Sequence, residues 1–445
     1  IYDWLVARGV RFFPAVNWVE RGLYTPGNSL PRYHILWGTA QHMMNVLKQN
    51  LLEHKHKSKL NCLFEHSVDG FTQSPQKITG CWGTDAVNNK KFNVEAESTV
   101  VASGGIGGNI QKVKDNWYTP WGKPPEVILN GSHPYSDGRM HDEVGELGGQ
   151  ITHLDKMWNY AAGIPNPKPR FEGHGLSLIP CKSALWLNHK GERIGPDPLV
   201  TGFDTHHLCK RVSEQEQPYT WHILNWRIAA KEFAISGSEH NVMIRDKKIF
   251  SFLKETLLGN HRLLKQMQEQ SDHFIVRDTL PELVTAMNQL AGSEDIDLSV
   301  VEQQIRDYDS NFERKSCLRN DDQIRRIEHA RKWRPDRFRT CRPGAIMASN
   351  AGPLIALKVN LISRKSLGGI QTDLQSRVLS HQQEPVKGLY AVGECAGFGG
   401  GGVSGMRSLE GTFLAGCILN ARMAARSITG QWDEYFDENF VIQEQ

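Results

Sequence analysis

The residues best arranged for chemistry lie near the C-terminus, in G-L-Y-A-V-G-E-C-A-G-F-G-G-G-G-V-S-G-M-R-S-L-E-G-T-F-L. An apolar strand, Leu389 to Val392, feeds a glycine loop (Gly397 to Gly402, Gly405) and then a helix expected from about Glu410 to Arg426. Backbone N–H groups and the positive end of a helix dipole converge at such a junction, which suits an anion or an electron-rich ring edge. A G-x-G-x-x-G pattern occurs at Gly397/Gly399/Gly402 and again at Gly400/Gly402/Gly405. A run of four glycines produces such matches cheaply, and no second strand with an acidic residue about 20 positions on follows. A second glycine loop, S-G-G-I-G-G-N, follows the β-like run Ser98 to Ala102, in the form of a buried strand ending in a tight loop.

The surrounding chain must hold these loops. Its 445 residues, 52 Lys plus Arg against 49 Asp plus Glu, and 39% hydrophobic content describe a globular protein of two or three domains. No stretch approaches the roughly 18 unbroken apolar residues of a membrane helix, so no membrane span is expected. A net charge of +3 gives no global attraction to nucleic acid or anionic lipid. The eight cysteines form no C-x-x-C pair for zinc or an iron–sulfur cluster and are too sparse for a disulfide scaffold; no metal site is expected, and the pattern fits a cytoplasmic, reducing compartment.

Helices are expected over Tyr2 to Arg8, ended by Gly9, and over Gln41 to His54, with β-like runs at Leu60 to His66 and Ile78 to Gly83. From about residue 153 the chain becomes Trp- and Pro-rich and irregular, then helical. Thr279-x-x-Glu282 and Ser299-x-x-Glu302 have capping-box spacing, and Gly292 stops the first of these two helices. Strand patterns return near Gly352.

Four segments, V-V-A-S-G-G-I-G-G-N, S-D-G-R-M-H-D-E-V-G-E-L-G-G, K-S-L-G-G-I-Q-T-D and G-L-Y-A-V-G-E, occur in this order. Together they resemble the flavoprotein family of fumarate reductase, succinate dehydrogenase and 3-ketosteroid Δ1-dehydrogenase. The chain is most similar to the bacterial branch described as FAD-binding dehydrogenases, through L-P-R-Y-H-I-L-W-G-T, M-W-N-Y-A-A-G-I, S-A-L-W-L-N-H-K-G-E-R, K-E-F-A-I-S-G-S-E and the glycine-rich segment, from Ile1 to about Ile428.

The resemblance implies an α/β fold: a Rossmann-like FAD-binding domain interrupted by a helix-rich capping domain (α+β), with a small-molecule substrate between them. FAD-binding parts would be residues 1–152 and 346–430, the cap 153–345 and a tail 431–445. It implies Ser103, Gly104 and Gly105 as backbone contacts to the nucleotide, and Asp137 and Gly138 as a loop near the cofactor. Gly393 and Glu394 would meet the ribityl or ribose, with Glu394 accepting from a hydroxyl. Ser408, Leu409, Gly411, Thr412 and Phe413 would set a helix N-terminus under the N1/O2 edge of the flavin, where reduced flavin carries negative charge.

Family members open with a βαβ unit whose G-x-G-x-x-G loop grips the ADP half of FAD, so the resemblance implies that a unit of at least about 30 residues belongs before Ile1. Ser404 and Ser408 stand where soluble fumarate reductases have a His and an Arg for substrate carboxylates, which weakens fumarate as substrate. No Tyr lies between Gly397 and Gly411, where the ketosteroid dehydrogenases have a catalytic one.

Hydride transfer at flavin N5 calls for an acid or base on the opposite substrate face. Arg407 and Glu410 beside the expected flavin edge, and Tyr160 and His174 at the start of the cap, are the candidates by residue chemistry. Arg407 can instead pair with Glu410 three residues on, and Tyr160 and His174 can be packed core residues. Residues 325–342 carry eight positive side chains in eighteen, with Trp333 and Phe338 interleaved. A solvated helix face is the plainer reading; nucleic-acid binding, or arginines that attract an anionic substrate, are the others. The leading expectation is an FAD-dependent oxidoreductase acting on an activated C–C or C=C bond, served by a separate electron donor or acceptor. The alternative is a catalytically inactive flavoprotein remnant acting as a binding protein.

Overall fold

The thirteen-residue strand Leu354–Ser366 organises most of the chain. Its first nine residues, L-I-A-L-K-V-N-L-I, are apolar but for Lys358 and Asn360 because neighbours cover both of its faces. In this computed structural model the described residues are 1–15, 32–179, 181–195, 197, 199, 205–332, 334–397 and 412–431. The strand is central to an eight-stranded sheet in the order Leu185–Leu187, Tyr219–Asn225, Leu354–Ser366, Met157–Pro165, Gly175–Ile179, Ala234–Ile235. Phe274–Arg277 also pairs with it antiparallel, and Ile128–Asn130 pairs with it in parallel near its C-terminal end. Helices including Leu280–Ala291 and Leu298–Asp309 pack around this sheet, and Trp221, Ile223, Leu264, Leu283, Leu357 and Leu361 meet in one buried core.

The segment expected to be a helix-rich cap therefore also contributes six of the eight strands, and the stretch read as irregular from residue 153 contains four of them between Met157 and Asn225. These strands are buried on both faces, so the apolar–polar alternation that marks a half-exposed strand is missing from their sequence. The central strand itself comes from the 346–430 segment, so sheet pairing joins the two parts along its length.

A smaller sheet carries the glycine loops. Thr99–Val101 runs parallel to Pro385–Ala391, with Leu389 opposite Thr99 and Ala391 opposite Val101, and Arg377–Leu379 adds an antiparallel edge. Ile78, Val101, Val144, Ile370, Leu389 and Ala391 form a second core beneath it. Parallel strands in register bring their carboxyl ends, and the loops that follow, to one edge of the sheet, where ligands of open α/β sheets bind. A three-stranded meander, His66–Ser74, Lys77–Asp85 and Lys90–Glu95, lies between these elements in sequence, so the strand read at Leu60 to His66 begins only at its last residue.

Local signals place several ends. Tyr2–Val6 is helical and Gly9 turns the chain at φ 91°, and the second helix is Thr39–Leu52. Thr279 and Glu282 form both bonds of the capping box, and Gly292 closes that helix at φ 72°. Ser299 is not a cap: Asp297 takes the position, its carboxylate accepting from Ser299 N at 2.7 Å, since a charged acceptor is favoured at a helix N-terminus. Among the described residues no helix is long and apolar enough to cross a membrane.

Candidate functional site: two glycine loops, a buried glutamate and an aromatic wall

The loop after Thr99–Val101 is wedged between the end of the central strand and residues 132–137. Ile106 N donates to Ser366 Oγ at 2.8 Å, Ser363 Oγ donates to the Gly107 carbonyl at 2.8 Å, and Gly108 N donates to the Ser136 carbonyl at 2.8 Å. Gly105 must be glycine here: a Cβ would sit 2.3 Å from Ser366 Oγ and 2.6 Å from Glu394 Oε1. Asp137 Oδ1 accepts from Arg139 N at 2.9 Å and Gly138, at φ 77°, precedes the helix Arg139–Glu146; Gly104 lies against the residue before them, since a Cβ there would sit 2.6 Å from Ser136 Oγ. Ser103 is exposed at the loop's tip.

From the parallel neighbour, Gly393 and Glu394 arrive on a short turn. Ser366 N donates to Glu394 Oε1 at 2.9 Å, tying this turn to the same serine that holds Ile106. Burial pushes the Glu394 carboxyl above its usual range, while the Ser366 amide and the charges of Lys365 and Arg364 pull the other way. A half-buried carboxyl group with this one partner among the described residues can accept from a ligand hydroxyl. The turn is fixed from below, where Gly369 crosses it so closely that a Cβ would lie 2.3 Å from the Cys395 carbonyl. His141, buried beneath, is held neutral by desolvation and by Lys112, its pKa lowered to about 4.

Beside Glu394 stands an aromatic wall crossed by cations. The rings of Trp158 and Phe413 are 5.5 Å apart, and Lys365 Nζ lies 4.7 Å from the Phe413 ring and 5.3 Å from the Trp158 ring. Tyr160, two residues along the same strand and on the same face as Trp158, is 6.3 Å from it by ring centroids, and the Arg364 guanidinium carbon lies 5.6 Å from the Tyr160 ring. The structure therefore brings Gly104, Gly105, Asp137, Gly138, Gly393, Glu394, Tyr160 and Phe413 to one region at the C-terminal end of the central strand. Arg407, Ser408, Leu409, Glu410 and Gly411 lie outside the described residues, and Thr412 opens the helix Thr412–Ile428.

His174 is held elsewhere. Its ring stacks on Phe171 at 4.3 Å, accepts from Arg170 N at 3.2 Å and lies 3.2 Å from Asn166 Nδ2, all within its own hairpin. Ser366, Arg364, Lys365 and Trp158 were missed as site residues. They lie in or next to K-S-L-G-G-I-Q-T-D and M-W-N-Y-A-A-G-I, so the signal was present, but nothing local assigned them a contact.

This arrangement suits a dinucleotide: glycine loops at the carboxyl ends of two parallel strands for its backbone, a carboxylate for a sugar hydroxyl, and a packed aromatic cluster alongside. The family described as FAD binding domain matches residues 1–414. The chain belongs to this FAD-binding family. It is 38% identical over 442 residues to a KsdD-like steroid dehydrogenase of Mycobacterium tuberculosis, covering 95% of this chain and 77% of the relative. A KsdD-like steroid dehydrogenase of Mycolicibacterium smegmatis is 37% identical over 429 residues, covering 93% and 77%. A flavocytochrome c3 fumarate reductase in its open conformation has the same fold, with a TM-score of 0.61 at 16% identity over 97% of this chain. So does 3-ketosteroid Δ1-dehydrogenase from Sterolibacterium denitrificans in complex with 1,4-androstadiene-3,17-dione, with a TM-score of 0.59 at 15% identity over 88%. The chain spans 62% and 63% of those two proteins. FAD is the cofactor of the family, and oxidoreduction its class of chemistry. A relationship spread over nearly the whole chain does not favour the inactive-remnant reading.

Proposed function

We propose that this chain is an FAD-dependent dehydrogenase that removes a hydride and a proton from adjacent carbons of a flat, apolar, ketosteroid-like substrate. The observation that carries the reading is the aromatic cluster beside Glu394, in which Trp158 and Phe413 pack together and half-buried Tyr160 stands at their edge, apolar ring surface of the kind a fused-ring molecule can meet. The steroid dehydrogenases among its relatives and the serines at positions 404 and 408 support it. When bound, FAD supplies the hydride acceptor.

The roles of the chain's own residues belong to the same proposal. Ser103, Gly104, Gly105, Asp137, Gly138 and Gly393 shape the nucleotide's bed, Glu394 accepts from a sugar hydroxyl, and Ser408, Leu409, Gly411, Thr412 and Phe413 form the helix start at the flavin. Tyr160 receives or delivers the substrate proton, with the Arg364 guanidinium standing beside its ring. Arg407 and Glu410 are the other proton-transfer candidates, and His174, engaged in its hairpin, ranks below them. Residues 153–345 act as the cap over the FAD-binding parts 1–152 and 346–430, electrons pass to a separate acceptor, and eight cysteines without a disulfide fit a cytoplasmic setting.

The test is steady-state turnover with an artificial electron acceptor, comparing 4-androstene-3,17-dione with succinate. Steroid-dependent reduction of the acceptor is expected; turnover of succinate alone would overturn the substrate class.

A further inference from the structure

The arginine-rich segment 325–342 has no part in the site above, and the fold gives it a different place. Arg331, Arg337 and Arg342 line a cavity of about 550 Å³ together with Arg227, Lys231 and His261. Among the described residues that line it there is no Asp or Glu. Among the described residues none of these five arginine and lysine side chains is in an ion pair; their partners are neutral. Arg227 Nη1 reaches Asn350 Oδ1 at 3.3 Å, Lys231 Nζ donates to the Thr256 carbonyl at 2.5 Å, Arg331 donates to the Thr340 carbonyl and Arg337 Nε to the Arg331 carbonyl at 3.0 Å. Arg342 is exposed, and Arg227 Nε is buried with no partner among the described residues.

Five cations facing one cavity repel one another unless an anion answers them. Burial holds the Lys231 ammonium below its usual range; Cys341 opposes this, and the positive charges of Arg339 and Arg331 add to it. The rest of the wall indicates what accompanies the charge. Trp226 stacks on His261 at 6.2 Å with its indole N–H donating to His261 Nδ1 at 2.9 Å, which leaves Nε2 as the protonated nitrogen of that ring. Leu257 and Leu258, 62% and 68% exposed, add apolar surface. Guanidinium forks match phosphate oxygens two at a time, and an aromatic ring with flanking leucines takes a planar ring.

We propose that this cavity binds a small polyphosphate, carried by a nucleotide whose base lies on the Trp226 and Leu257 side. It is separate from the flavin site: Gly352 lines it, before the start of the central strand, whereas Arg364 to Ser366 stand at the strand's other end, ten or more residues away, or about 35 Å at the rise of a strand. A concave cavity of this volume holds one ligand and does not track a nucleic-acid backbone, which favours the nucleotide over a polynucleotide.

The experiment is calorimetric titration of the FAD-loaded full chain with ATP, with inorganic tripolyphosphate and with an eight-nucleotide DNA strand. ATP and tripolyphosphate are expected to bind at one site per chain, and ATP more tightly. Arg337→Glu together with Arg342→Glu should weaken both at least tenfold while bound flavin and melting temperature stay unchanged, since both side chains are exposed. Trp226→Leu should bring ATP down to the tripolyphosphate affinity; equal affinities in the unsubstituted chain would assign free polyphosphate in place of a nucleotide. No saturable binding, binding indifferent to the double substitution, or tighter binding of the DNA strand overturns the proposal. Bound flavin serves only as a control that the substituted chain is folded, and steroid turnover is not read, so the result stands apart from the proposed function.

Discussion

Replacing Gly105 with Ala tests the construction of the proposed cofactor site. The new methyl would lie 2.3 Å from Ser366 Oγ, 2.8 Å from Ser366 Cβ and 2.6 Å from Glu394 Oε1, so the serine and the glutamate must both retreat. Their retreat breaks Ile106 N to Ser366 Oγ and Ser366 N to Glu394 Oε1, the second a bond to a carboxylate. Leaving such buried donors unanswered costs about 1–2 kcal/mol each, or about 2–4 kcal/mol together. If the retreat is confined to the site, FAD affinity falls by about 30- to 700-fold. If it spreads into the fold, the same energy appears as a lower melting temperature of the FAD-free chain. Measuring both on Gly105→Ala therefore accounts for the whole cost. Adding Ser366→Ala removes only the 2.3 Å contact and leaves the glutamate displaced, so it should restore a part of the loss. A Gly105→Ala chain that binds FAD and melts as the parent does would refute the reasoning.

Tyr160→Phe should retain FAD and substrate binding but lower kcat by about a hundredfold or more, with KM little changed; unchanged kcat removes Tyr160 from proton transfer. Burial lowers the His141 and His222 pKa values to about 4 and about 3, from 6.5 when unfolded. The unfolded chain then takes up protons first on acidification, so stability present above about pH 6.5 is lost toward the folded values, roughly 2 kcal/mol per histidine at about pH 5. Urea unfolding at neutral and mildly acidic pH measures this, and equal midpoints would contradict it. Glu232→Ala strands Ser183 N, Ser183 Oγ and Cys341 N, which donate to its carboxylate at 3.0, 2.7 and 2.6 Å; a loss of about 3 kcal/mol or more is expected in denaturant titration, and a change below about 1 kcal/mol would show the site relaxes freely.

What was legible in the sequence was local or carried by motif. Thr279 and Glu282 announce their helix because a capping box needs only four consecutive residues. The glycine loops and Glu394 stand out because each follows a short apolar strand directly. The bonds that assemble them do not: Ser366 meets Ile106 across 260 positions, and nothing in either segment names the other. The eight-stranded sheet escaped for another reason, since strands such as L-W-L and Y-T-W-H-I-L-N are buried on both faces and show no period of two. The basic segment read as a solvated helix face becomes one wall of a cavity only when Arg227 and Lys231, about a hundred positions earlier, are folded against it.

In the function proposed, these strand ends, loops and aromatic side chains form a working flavin site. The most direct measurement is the visible absorption spectrum of the chain after loading with FAD and removing free ligand, followed by anaerobic addition of 4-androstene-3,17-dione. The account predicts the bands of bound oxidised flavin in one-to-one ratio with the chain, and their bleaching by the steroid. A colourless chain after loading, or bound flavin that only succinate bleaches, would contradict it.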